Sequence, residues 1–324
     1  MLDAAIVGMG RWGRVLVDSV QGKSGAIRFV AGSTGTPEKA RDYAAEKGIT
    51  LHDGYEAVLA DPRVQAVVLA SPHSQHAAQV IAAAKAGKQI FVEKPFTLTK
   101  ADAEAAVAAV RQAGVTIALG HNRRFLPAAN RLKDMIGAGE LGTILHIEGN
   151  ISGPGALAYK PGMWRADPTE SPAGGLASMG IHMVDMFRML CGEMRAVSVV
   201  SHARVATNGL DDTTAMLIRF AGGMTGTLTT LAATPRIWRV QVFGSKAWVE
   251  MGGTNKLVVG REGAEHEHIR FEATDIERAE LEAFAAAASG GAAYPLSLEE
   301  AVHSAAVFEA IAKGARQEGW IAVA

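Results

Sequence analysis

The chain has one cysteine, Cys191, in 324 residues. That excludes an intrachain disulfide and a cysteine metal cluster within one chain, and Cys191 reads as a small apolar residue on a helix running through Met186 to Leu190. A dominant charge is missing too. Lys and Arg (32) nearly balance Asp and Glu (33), and no Lys/Arg run occurs that could track phosphates, so no nucleic-acid partner is expected. No apolar run is long enough to span a bilayer, and no basic segment followed by an apolar signal core opens the sequence. The expectation is a soluble cytoplasmic protein with no membrane partner. Internal repeats and low-complexity linkers are also lacking, so domain limits must be read from changes of pattern. The last absence is local: no carboxylate stands between Asp18 and Glu38.

What is present begins with Gly8-Met-Gly-Arg-Trp-Gly13, a Gly-x-Gly-x-x-Gly turn directly behind the apolar strand Ala4 to Val7 and ahead of a helical pattern at Val15, Leu16 and Val20. Gly8 permits the tight turn, Gly10 lets the backbone approach a pyrophosphate, and Gly13 lets the helix pack closely on the sheet. Met9, Arg11 and Trp12 complete this expected cofactor loop. The acid that accepts the ribose hydroxyls of NAD normally lies roughly 20 residues further on, and here that stretch reads Ile27 to Ser33, then Thr34-Gly-Thr36. Hydroxyls at Ser33, Thr34 and Thr36, with Arg11, Lys39 and Arg41 nearby, suit a 2′-phosphate better, so NADP(H) is favoured and NAD(H) remains an alternative. Lys39 and Arg41 also fit the solvated face of a helix beginning at Pro37.

Nearly half the composition is apolar, enough for two domains. Through residue 120, short β-branched runs alternate with Ala-rich amphipathic segments, which predicts a doubly wound parallel sheet of the Rossmann type. Ser74 is a candidate cap for the helix running to Ala86, and Thr99 with Asp102 resembles a capping box. Later, alternating strands Thr214 to Phe220 and Met224 to Leu231, then Trp238 to Phe243 and Ala247 to Met251, read as adjacent hairpins. They predict a C-terminal α+β domain with a large, predominantly antiparallel open sheet, one face taking helices and the other free for a second subunit. The expected division is a dinucleotide-binding domain over 1–120 and a substrate-binding and oligomerisation domain over 121–324. A homodimer or homotetramer through the C-terminal sheet is expected.

Further motifs follow in order: Ser71-Pro-His-Ser-Gln-His76, Glu93-Lys-Pro95, His121-Asn-Arg-Arg-Phe125, Trp164-Arg165 and Gly174-Gly-Leu-Ala-Ser-Met-Gly-Ile-His182. On its own, Lys94 stands at the carboxyl end of an apolar strand, where ligands sit in open α/β sheets. An amine partly withdrawn from water there is usable as a proton donor or acceptor. His182 falls in an apolar helix starting near Gly180, a setting that also suits a hydrogen-bonded core histidine. His266 and His268 alternate with glutamates and read as a solvated strand edge; no metal is expected.

Taken together, these motifs strongly resemble the glucose-fructose oxidoreductase/inositol dehydrogenase (Gfo/Idh/MocA) family, with Glu93-Lys94-Pro95 the most specific part. The resemblance implies an NAD(P)-dependent oxidoreductase moving hydride between nicotinamide C4 and a carbonyl or alcohol carbon of a small polar substrate, a sugar, cyclitol or derivative. It implies that Lys94 lies beside the substrate oxygen and that His182 shares the proton transfer. Ser71, His73, Glu93 and Lys94 are implied at the cofactor. Trp164 and Arg165 are implied at the mouth of the active site, and Asn122 and Arg124 reach toward substrate or cofactor or form a cap or ion pair. His76 has no role in this reading beyond the start of its helix. The chain departs from polyol-oxidising members at Ser178, where they usually carry aspartate. A hydroxyl can bond a substrate there but supplies no charge to a protonated Lys94 or His182, which leaves room for a reductase. Two alternatives stand beside this reading: a non-catalytic dinucleotide-responsive regulator, and a redox-assisted glycoside hydrolase.

Overall fold

The structure is a computed structural model describing residues 1–160 and 162–324. Its residues form two compact units, Met1–Asn122 with Asp275–Val302, and Arg123–Thr274 with His303–Ala324.

In the first unit the strands are β1 (Leu2–Val7), β2 (Ile27–Ser33), β3 (Thr50–Leu51), β4 (Ala66–Leu69), β5 (Gln89–Glu93) and β6 (Ile117–Gly120). They pair in parallel in the order β3-β2-β1-β4-β5-β6. Helices α1 (Arg11–Val20), α2 (Pro37–Glu46), α3 (Tyr55–Ala60), α4 (His76–Lys85) and α5 (Lys100–Ala113) make the crossovers that parallel neighbours require. Thr99 caps α5, its hydroxyl accepting from Asp102 N–H at 3.1 Å. The residue in the capping position of α4 is Gln75, not the expected Ser74. A 3₁₀ turn, His73–Gln75, comes first, and α4 begins at His76.

The second unit is built on α6 (Pro127–Gly137), β7 (Ile144–Ser152), α7 (Gly155–Ala158), α8 (Gly180–Cys191), β8 (Met194–His202), β9 (Thr213–Phe220), β10 (Thr225–Leu231), β11 (Ile237–Gly244), β12 (Trp248–Gly252), β13 (Lys256–Gly260) and β14 (Glu267–Arg270). After α9 (Ile276–Ala288) and α10 (Leu298–Gly314), β15 (Trp320–Ala322) completes a nine-stranded sheet among the described residues, ordered β14-β13-β12-β11-β7-β10-β9-β8-β15. Only the β7–β10 pair is parallel among them. Strict alternation on β9 buries Thr214, Met216, Ile218 and Phe220 and exposes Ala215, Leu217 and Arg219. Helices α6 and α8 cover the buried face.

One difference from the expected linear division stands out. The segment 275–302 returns to the first unit, because Leu281, Phe284 and Ala285 of α9 join its core with Leu16, Phe29 and Phe91. Phe284 meets Phe91 at 5.8 Å between ring centroids, a pair that adds about 0.5–1.5 kcal/mol beyond area burial. A helix this distant in sequence leaves no local sign of which unit it covers. Among the described residues no helix is long and apolar enough to cross a membrane.

Candidate functional site

The glycine turn joins β1 to α1, and its three glycines face different surroundings. Gly8 has φ 97°, and a Cβ there would meet the Ala70 carbonyl oxygen at 2.5 Å. At Gly13 a Cβ would fall 2.0 Å from the Gly8 oxygen, whereas one at Gly10 would meet no atom within 4 Å among the described residues beyond its chain neighbours. The turn is therefore packed at both ends and open in the middle, where a pyrophosphate would need room. Helix α1 has no side-chain cap and no acid in its first turn, so its first N–H groups and the positive end of its dipole remain suited to an anion.

Around this turn, Met9 is buried, Trp12 half-buried and Arg11 exposed, with the Arg11 guanidinium 6.0 Å from the Trp12 ring centroid. Ser33 is buried at the end of β2, and its carbonyl accepts from Gly8 N–H at 2.9 Å, tying the strand end to the turn. Thr34 is half-buried, and Lys39 and Arg41 are exposed on α2. Ser71 and His73 are buried just after β4, and the Ser71 hydroxyl donates to Gln79 Oε1 at 2.5 Å.

The most specific motif sits at the end of β5. Lys94 is half-buried and its peptide bond to Pro95 is cis. Glu93 is buried, and its Oε2 accepts from Lys94 N–H at 3.2 Å. Burial pushes the Glu93 carboxyl up to about 7; the Lys94 charge pulls it down and the Glu277 charge adds to the rise. Asn122 is buried after β6 and donates from Nδ2 to Glu277 Oε1 at 3.0 Å. A carboxylate only accepts, which sets the amide orientation and leaves buried Oδ1 facing no donor among the described residues.

In the second unit, Trp164 and Arg165 lie on a 3₁₀ turn, half-buried, with the guanidinium 4.2 Å from the indole centroid. His182 is buried in the first turn of α8. The helix is placed by close backbone approaches: a Cβ on Gly180 would come 2.9 Å from Thr230 Oγ1 on β10, and one on Gly149 would come 2.7 Å from Phe187 Cζ. Ser178 is half-buried, with its hydroxyl 3.4 Å from the Gly175 carbonyl oxygen in its own turn. Arg124 takes the ion-pair alternative. Its guanidinium meets the Asp185 carboxylate of α8 at 2.8 and 3.0 Å, with side chains 4% and 1% exposed.

Asn122 and Arg124, neighbours in one motif, thus fall in different units and serve different partners. Sequence reasoning missed Glu277, Asp185 and the bonds of His76. A signal existed for Asp185, the sole carboxylate in an apolar helix, since a buried charge must be paired.

A parallel sheet in 3-2-1-4-5-6 order with a glycine turn behind its first strand, together with a unit built on a large mixed sheet, defines a dinucleotide-binding protein with an added α+β domain. Residues 2–121 match the oxidoreductase family with an NAD-binding Rossmann fold, and residues 129–250 match the GFO/IDH/MocA C-terminal domain. The chain belongs to the Gfo/Idh/MocA oxidoreductase family. It is 33% identical over 262 residues to the NAD(+)-dependent scyllo-inositol 2-dehydrogenase of Bacillus subtilis, covering 76% of this chain and 73% of that one. It is 28% identical over 226 residues to the 1,5-anhydro-D-fructose reductase of Ensifer adhaerens, covering 67% of each. A solved structure of levoglucosan dehydrogenase with NADH superposes at TM-score 0.89 and 23% identity, covering 100% of this chain and 99% of that one, a likeness of fold.

Proposed function

We propose that this protein moves hydride between nicotinamide C4 and the hydroxyl-bearing or carbonyl carbon of a sugar, cyclitol or close derivative, with Lys94 as the acid/base. The carrying observation is the position of Lys94: at the carboxyl end of β5, in a sheet whose β1 turn is open at Gly10. The residues present fit a dinucleotide. Gly8, Gly10, Gly13 and the start of α1 would hold its phosphates, with Met9, Arg11, Trp12, Ser71, His73 and Glu93 around them. Asn122 Oδ1 would accept a donor from bound cofactor or substrate. When bound, the nicotinamide supplies the two-electron partner. In oxidation Lys94 takes the hydroxyl proton as the carbon gives up hydride; in reduction it returns a proton to the carbonyl oxygen. His182 is assigned to the same oxygen, and Trp164, Arg165 and Ser178 to substrate binding.

NADP(H) is the proposed preference. It is supported by the missing acid at the end of β2, where the buried Ser33 and half-buried Thr34 leave no carboxylate to repel a 2′-phosphate. A dimer or tetramer through the open face of the large sheet is also proposed, supported by Val200, Leu217, Ile237 and Trp320, which are 59%, 52%, 45% and 41% exposed. Sedimentation tests it, and a monomer contradicts it.

The activity test is a panel: scyllo-inositol and levoglucosan with NAD(+) and NADP(+), and 1,5-anhydro-D-fructose with NADH and NADPH. Turnover of at least one, faster with the phosphorylated nucleotide, is expected. Tight nucleotide binding without turnover across these and a wider set of ketoses and aldoses would support the regulator instead. Nucleotide that copurifies and cycles without net consumption would support the glycosidase.

A further inference from the structure

The loop that carries Lys94 is held by a residue to which neither the motif nor the family match gives a part. His76, the first residue of α4, is fully buried, with 0% of its surface exposed. Its Nδ1 lies 2.9 Å from the carbonyl oxygen of Pro95, and its Nε2 lies 3.2 Å from the carbonyl oxygen of Ser71. One imidazole therefore spans the loops that leave the adjacent parallel strands β4 and β5. Each loop is tied further on its own side. The backbone at Ala70 and Ser71 packs under Gly8 of the nucleotide turn, and Lys94 N–H donates to Glu93 Oε2. The His73 ring stands edge-on to His76 at 5.9 Å between centroids.

We propose that His76 is a positioning residue for Lys94: by donating from Nδ1 to the Pro95 carbonyl and bearing on Ser71, it fixes the direction of the Lys94 amine relative to the nucleotide turn. The inference rests on the reading of Lys94 as acid/base. A neutral imidazole carries one N–H and both neighbours are carbonyl acceptors, so the shorter contact, at Pro95, defines the essential bond. A proton-transfer group displaced by about 1 Å can lose on the order of a hundredfold in rate while the nucleotide still binds. The expected signature is loss of turnover without loss of cofactor affinity.

Three variants test it, in whichever panel reaction turns over. His76→Leu removes both contacts, His76→Asn keeps an N–H near the Nδ1 position, and His76→Gln keeps one near Nε2. We expect His76→Leu to lower kcat about a hundredfold and raise the solvent isotope effect on kcat, with the NADP(H) Kd within about twofold of wild type. His76→Asn should regain at least tenfold of that loss and His76→Gln should not. In hydrogen exchange, backbone amides over 89–98 should exchange faster in His76→Leu while those over 2–7 are unchanged, a readout that needs no substrate. Wild-type kcat in His76→Leu, unchanged exchange over 89–98, a Kd that weakens in step with kcat, or rescue by Gln and not Asn would each overturn the proposal. Should His76→Leu fail to fold, the Asn and Gln pair still decides. Lys94→Ala is assayed alongside: if it keeps turnover, the acid/base reading has failed, whereas its loss beside a fully active His76→Leu sinks the positioning role alone.

Discussion

The two units build their candidate chemistry in opposite ways. In the first, the groups sit on short loops leaving the carboxyl ends of neighbouring parallel strands, so Gly8, Ser71 and Lys94 converge because β1, β4 and β5 are adjacent. In the second, His182 rides on a helix whose place depends on Thr230 beside Gly180, Phe187 beside Gly149 and Asp185 against Arg124. Loops on a parallel sheet concentrate function in contiguous motifs. A helix laid across a mixed sheet spreads it over residues tens of positions apart. Substitution of Lys94 should therefore cut activity and spare stability, and substitutions beneath α8 should do the reverse.

The largest expected effect is Lys94→Ala. Loss of an acid/base group lowers kcat by about a thousandfold, with melting temperature and nucleotide Kd near wild type. A comparable loss of stability would erase the contrast between the units. Next is Asp185→Ala, which strands the buried Arg124 guanidinium. Removing one partner of such a pair costs about 3–5 kcal/mol, read from the urea midpoint, while charge-preserving Asp185→Glu should lose less.

A smaller effect sharpens the cofactor assignment. Ser33→Asp places a carboxylate at the end of β2, where it accepts from ribose hydroxyls and repels a 2′-phosphate. The ratio of kcat/KM for NADPH over NADH should fall roughly tenfold to a hundredfold. No change would remove Ser33 from the nucleotide site.

The last effect concerns Glu93. Its folded pKa, raised by burial to about 7, lies above the ordinary carboxyl value of 4.5, so between those pH values the folded state holds a proton that the unfolded state has released. Stability from this group is present below pH 4.5 and declines as pH rises toward 7. Glu93→Gln should flatten that decline in urea midpoints taken at pH 5 and 7. An unaltered slope contradicts it.

The same contrast governs what the sequence made legible. The doubly wound parallel sheet, the glycine turn behind its first strand and the place of Lys94 at a strand end followed from local alternation and motif spacing, because a doubly wound sheet repeats one local unit. The return of α9 to the first unit did not, since its apolar face carries no label for the sheet it covers. Asn122 and Arg124 showed as candidate site residues, but their partners Glu277 and Asp185 lie 155 and 61 residues away. His76 stayed unassigned for the same reason: its acceptors are backbone carbonyls, which no side-chain pattern reveals.

The central claim is that the Lys94 amine handles the proton at the carbon exchanging hydride. A crystal structure with oxidised or reduced nucleotide and the panel substrate that turns over tests it most directly. The account predicts Nζ about 2.6–3.2 Å from the oxygen on the carbon facing nicotinamide C4. An amine turned to bulk solvent in that complex, with another group on that oxygen, would contradict it.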